Sequence, residues 1–303
     1  MAFSFWTALG HGVKRVRERP RDALRIWAFD AAALVALPVI VIVMSGAWAG
    51  PGNPIAFAAL SPLQMVCVIA AFASLAVFWL CSEGAWARFL ATDETVAVIP
   101  YRLSRDEWRI FALIIFWTFV ALVLAFCMMM PIGLFRVLVQ EDGAASQAGA
   151  VVLMALAGLL LMFVVPRINA TAMLAVRRKA FSPLGHFSAT DPFWFPLGLA
   201  FGVGYVLSLL CAYGIPGFLS VLSGLDADTR MMIAKGSLTP WANWFVAQKQ
   251  PQIAPFIVLF SAWLGSGFGL LVMRGIVAHA AIHAQEREEL DTGQAYPAAS
   301  SVG

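Results

Sequence analysis

Asp30 is the acidic residue that lies clearly inside an apolar stretch of this chain, about one helical turn from its start. A carboxylate at such a position is costly unless it is paired or reached by water. Two readings follow: a proton or cation site, or a structural group that pairs with Arg88 or Arg167 or reaches the interface. His279 and His283 stand at i, i+4 with Glu286 at i+3 from the second, a spacing that can supply metal ligands. With no cysteine partner and no zincin glutamate, a solvated helix end is the plainer expectation. Gly265-Ser266-Gly267 has the outline of a nucleophile turn, but no companion histidine stands in the other apolar blocks. Glu83, Asp93 and Glu94 with neighbouring arginines could act on phosphate head groups, yet their spacing does not converge. No cofactor is expected, and a non-enzymatic chain is expected over an enzyme.

The elements that must position these residues are apolar helices. Of 303 residues, 61% are hydrophobic and 12% charged, and the mean hydropathy is +0.82. A soluble domain is roughly half apolar and about a quarter charged. Six apolar blocks, 26–44, 62–82, 110–130, 149–166, 195–214 and 254–273, have the length that crosses about 30 Å of hydrocarbon as helix. The sequence predicts an all-α, polytopic membrane bundle of six spans. Reading the first block as a cleaved signal peptide is the weaker alternative, because the block and its basic lead-in are long for one.

Loop charge gives the bundle a direction. Sixteen basic residues fall on one side: Lys14, Arg15, Arg17, Arg19, Arg21, Arg25, Arg88, Arg102, Arg105, Arg109, Arg167, Arg177, Arg178, Lys179, Arg274 and Arg287. Four fall on the other: Arg136, Arg230, Lys235 and Lys249. Lys and Arg stay cytoplasmic, so both termini are expected in the cytoplasm of a bacterial inner membrane. The expected divisions are a basic amphipathic segment over 1–25, the transmembrane domain over 26–285 and a disordered tail over 286–303. The net charge of +3 and scattered basic residues argue against nucleic-acid binding. Cys67, Cys81, Cys127 and Cys211 all fall in apolar blocks without metal or disulfide spacing.

Three spans begin alike, at Arg21-Asp22-Ala23-Leu24-Arg25, Arg105-Asp106-Glu107-Trp108-Arg109 and Thr190-Asp191-Pro192-Phe193-Trp194. Asp22, Asp106 and Asp191 are expected as N-caps at the positive end of each helix dipole. The returning spans end in Arg88, Arg167 and Arg274, expected to snorkel to lipid phosphates. Either a hairpin repeated three times or the shared need for caps and basic flanks accounts for this spacing. Gly198-xxx-Gly202 and Gly265-xxx-Gly269 are packing signals, within the chain or between copies of it. Residues 3–16 and 167–179 read as amphipathic helices on the anionic leaflet. The long external loop 215–253 holds Asp226, Asp228, Trp241, Trp244 and Phe245 and reads as a site for another short amphipathic helix.

The layout of 88–108 and 167–194, a basic amphipathic turn, a short polar break, an aromatic residue and the next span, resembles bacterial six-span membrane families similar to the membrane domain of glycerophosphodiester phosphodiesterases. The resemblance implies a membrane module without hydrolase activity and carries over no site residues. Pro20-Arg21-Asp22-Ala23-Leu24-Arg25 matches a mitochondrial-carrier signature, but it precedes a span instead of ending one, and that match is rejected. The expected function is a membrane module that assembles an envelope complex or organises lipid. A secondary transporter and a lipid-headgroup enzyme are the alternatives. The expected partners are phospholipid and a membrane protein or a second copy.

Overall fold

The computed structural model describes residues 3–37, 60–92, 94–139, 144–222 and 253–292. Among them every regular element is helical and no strand occurs. Ser4 opens α1 (Phe5–Glu18) by accepting the Thr7 amide at 3.3 Å. Pro20, at the position that has no amide to lose, starts α2 (Pro20–Asp30), which runs into a π-helical segment at Ala31–Ala36. Ser61 and Gln64 form a reciprocal capping box at the start of α3 (Pro62–Ala91). Then come α4 (Arg105–Val139), α5 (Ala144–Arg178) and the short α6 (Pro183–Ser188). A 3-10 turn leads to α7 (Trp194–Leu209), followed by a second π segment at Leu210–Gly214, α8 (Ile215–Leu222) and α9 (Ile253–Thr292).

Each predicted apolar block falls on a helix, the first as far as Leu37. Three helical stretches among the described residues are long and apolar enough to cross a membrane: Pro62–Ala91, Pro183–Leu219 and Trp263–Thr292. The rest of the first block, and Asp226, Asp228, Trp241, Trp244 and Phe245, lie outside the described residues.

The core sits at one end of the bundle. At 40 residues, α9 is about 60 Å long, twice the thickness of the hydrocarbon layer. It packs with α1, α3, α5 and α7. Trp86, Phe89, Leu90, Ile110, Leu174, Leu197 and Ile276 are fully buried there. Toward the other end, the outward faces of α3, α4 and α7 carry exposed Val66, Ile69, Phe72, Phe119, Leu122, Val206 and Leu210. Water would penalise such a surface, whereas lipid solvates it.

Three expectations change here. Residues 167–178 continue the helix of the fourth block, as expected, but not along a surface: α5 runs through Pro166 to Arg178, and Ala170, Leu174, Ala175 and Val176 are wholly buried. Their apolar face is needed by α3, α7 and α9. Residues 286–292 are helix, extended past the expected start of the tail by Gln285 donating to Glu289 at 2.8 Å and by an ion pair between Arg178 and Glu288. Finally, α1 buries Ala8 and Gly12 against α9, while Trp6 remains 79% exposed.

Candidate functional site

At the end of α3, helix geometry leaves the last carbonyls without intrahelical donors. Four consecutive carbonyls are met by side chains from elsewhere. Arg19 donates to Phe89 O at 2.8 Å, His11 Nε2 lies 3.0 Å from Leu90 O, Arg177 donates to Ala91 O at 2.6 Å and Arg15 to Thr92 O at 3.3 Å. Cations are favoured at this negative dipole end. Basic residues that read as topology signals therefore also clamp α1 and α5 onto α3.

The neutral His11 ring donates to this carbonyl only as the Nε2–H tautomer. Burial, above all, and then the nearby Arg15 and Lys14 cations push its pKa below the usual 6.5, against the Leu90 carbonyl and Glu18, which raise it. His279 lies beside it, the rings tilted with centroids 5.6 Å apart. Because the undocked ring binds a proton first, the docked state is favoured above about pH 6.5 and loses stability as pH falls, by up to about 1.4 kcal/mol per pH unit. A nitroxide attached at Gly10→Cys should become more mobile between about pH 7.5 and 5.5, and His11→Gln should flatten that response. Equal mobility of the unmodified helix at both values would refute the linkage.

Arg88 does not snorkel. It is 6% exposed and makes an ion pair with Glu107, which is 0% exposed. A second guanidinium nitrogen donates to Pro100 O at 3.3 Å. Glu107 also accepts from the Ser104 amide at 2.8 Å and from the Ser104 hydroxyl. Ser104-x-x-Glu107 is a capping-box sequence, a signal the sequence reading passed over in favour of Asp106.

The three aspartates sit inside the first helical turn instead of capping it. Arg19, Ser104 and Thr190 precede the helical residues. Asp22 pairs with Arg25 at 3.6 Å and Asp106 with Arg109 at 2.7 Å, both at i, i+3. Asp191 instead pairs with Arg167. Asp106 also accepts from Lys179 at 2.9 Å, and Glu94 from Lys179 at 3.1 Å and Arg102 at 3.0 Å. Lys179 has φ 54°, a left-handed conformation that ends α5 and that these two carboxylates hold in place. Asp93 lies outside the described residues.

The four glycines make intrachain contacts. Gly198 and Gly202 face Phe163 and Met162 of α5, while Gly265 and Gly269 lie against Cys211 and Ser208 of the helix ending in the second π segment. His279 and His283 do not form a solvated helix end. His283 is buried, and both rings pack on Phe3, with Phe193 against His283. Among the described residues no group of three His, Cys, Asp or Glu side chains is placed to hold a metal. Cys67, Cys81 and Cys211 are free thiols.

Asp30 meets neither Arg88 nor Arg167. Its carboxylate accepts from Trp86 Nε1 at 2.9 Å and from the Tyr101 hydroxyl. Burial, and then the bond to Asp30, raises the Tyr101 pKa, which keeps the hydroxyl a donor. Asp30 lines a partly open cavity of about 280 Å³ between α2, α3 and α9, together with Trp27, Trp79, Ser82, Glu83, Trp263 and Arg274. Arg274 makes an ion pair with Glu83 and stands 5.4 Å from the centroid of the Trp86 ring. Gly267 on α9 faces the Trp27 indole. The π segment begins immediately after Asp30, and Ala31 and Leu34 from it complete that wall. Such local widening of a helix often accompanies a functional site.

No protein-family model matches the chain, and no curated protein or solved structure matches it.

Proposed function

We propose that this chain is a six-span module of a bacterial inner membrane, with both termini cytoplasmic, that binds and organises phospholipid and assembles with a membrane partner or a second copy. The observation that carries the reading is the cavity at Asp30, whose edge is formed by half-exposed Trp79, Trp263, Leu264 and Leu270. Polar groups lie inside and apolar groups at the mouth, an arrangement suited to an amphiphile entering from the bilayer. The 16-to-4 division of basic residues supports the orientation, and the six apolar blocks of the sequence, each near a bilayer in length, support the span count.

Extraction into lipid nanodiscs followed by mild-detergent transfer tests the reading. About one phospholipid per chain should survive transfer and appear in native mass spectra. Chain emerging free of lipid and of any partner would sink it.

A transporter reading draws on the same carboxylate and on the π segment beside it. It requires solute flux in proteoliposomes that Asp30→Asn abolishes. The headgroup-enzyme reading is less well supported, since Glu83 is tied to Arg274 and Glu94 to Arg102 and Lys179.

A further inference from the structure

We infer that the Asp30 cavity binds an organic ammonium group, carried by the head group of an aminophospholipid of the ethanolamine type. The cavity contains two carboxylates, Asp30 and Glu83, and one guanidinium, Arg274. Glu83 and Arg274 neutralise each other. Asp30 is met by two neutral donors, an indole N–H and a phenol O–H, and by no cation among the described residues. One negative charge is therefore left uncompensated in a space walled by Trp27, Trp79 and Trp263.

That combination selects a cation, and an organic one. Indole faces attract ammonium groups through the ring quadrupole, most strongly where water is excluded. A small metal ion would demand several oxygen ligands, and no such group of side chains occurs among the described residues. The neutral donors fix the Asp30 carboxylate in place without cancelling its charge, so the site is organised before the ligand arrives.

Arg274 gives the second half of the recognition. One of its terminal nitrogens is committed to Glu83, and a guanidinium carries five N–H donors. The remaining donors suit a phosphate oxygen, since a phosphodiester in an ethanolamine head group is only two carbons from the ammonium. The acyl chains would leave past Trp79, Trp263, Leu264 and Leu270, all of them exposed on the apolar face. The ammonium site follows from the cavity's own charge and walls; its lipid source rests on the lipid-organising function proposed above.

The test uses the full chain in nanodiscs containing equal amounts of phosphatidylethanolamine and phosphatidylglycerol, and reads retained lipid by native mass spectrometry. Soluble ethanolamine and tetramethylammonium are titrated separately against tryptophan fluorescence. The expected result is enrichment of the ethanolamine lipid by about tenfold or more, about 1.4 kcal/mol. Asp30→Asn, which removes the charge but nearly keeps the shape, should abolish it. Ser266→Phe, which fills the cavity from an exposed position on α9, should lower total retention without affecting the Asp30 contacts. Circular dichroism melts check that both variants fold.

Equal retention of the two lipids, unchanged by Asp30→Asn, overturns the ammonium site and leaves the lipid-organising function standing. Saturable, Asp30-dependent quenching by the soluble amines with no lipid retained supports the ammonium site and overturns the lipid source. Absence of both signals overturns both.

Discussion

Arg88→Met should destabilise the folded chain by about 3–5 kcal/mol, the range found when one partner of a buried ion pair is removed. Glu107, with no exposed surface, would be left buried against Gly84 with only Ser104 as donor. The double variant Arg88→Met/Glu107→Leu should recover most of that loss, because two apolar side chains can replace a buried pair at little net cost. It would still lack the side-chain half of the Ser104 capping box, worth about 1 kcal/mol. Steric-trapping measurements in bicelles give both values. If the single variant cost less than about 1 kcal/mol, Arg88 would have to be solvated in the folded state, against its burial.

A second large effect is expected at Gly265, where a Cβ would collide with the backbone carbonyl of Cys211. Backbone cannot turn aside as a side chain can, so α9 must move off the second π segment and α7. Gly265→Ala should cost about 3 kcal/mol, the upper end for overpacking. Gly202→Ala provides the contrast, because its new methyl would meet the thioether end of Met162. Methionine is flexible, and a cost below about 1 kcal/mol is expected there. Gly198→Ala, which would meet the Phe163 ring, should fall between. Thermal melts of the three variants in one detergent give the order, and a Gly265 variant no less stable than the Gly202 variant would show that the α7–α9 crossing is looser than described.

The Arg88 effect falls at the basic end, where the long helices extend past their apolar stretches. Inside lipid, apolar helices gain little by burying apolar side chains against each other. The basic ends of α3, α5 and α9 instead form an ordinary core. Most of the fully buried aromatic and aliphatic residues, Val68 excepted, and the buried Arg88–Glu107 pair lie in this region. The Asp30 cavity lies between this region and the apolar faces, lined by Glu83 and Arg274 as well as by Trp263 and Leu264.

Local chemistry was legible in the sequence. Apolar runs of bilayer length impose helices because no other described element could satisfy its backbone in hydrocarbon. Asp22 with Arg25, and Asp106 with Arg109, find each other because residues three apart share a helix face. The capping boxes at Ser61 and Ser104 are equally local, yet both were passed over, the second because the adjacent aspartate drew the reading. The partners of Arg88, Arg167 and Asp30 were not legible in this way. Each is joined across elements by which helix happens to lie alongside, and hydropathy does not encode that choice. The sequence marked Asp30 as a charge out of place; only the packing of α2 against α3 and α9 supplied it with Trp86, Tyr101 and a cavity in place of an arginine. Likewise, composition placed the basic residues on one side, but tertiary contact decided which of them cap carbonyls inside the protein and which face outward.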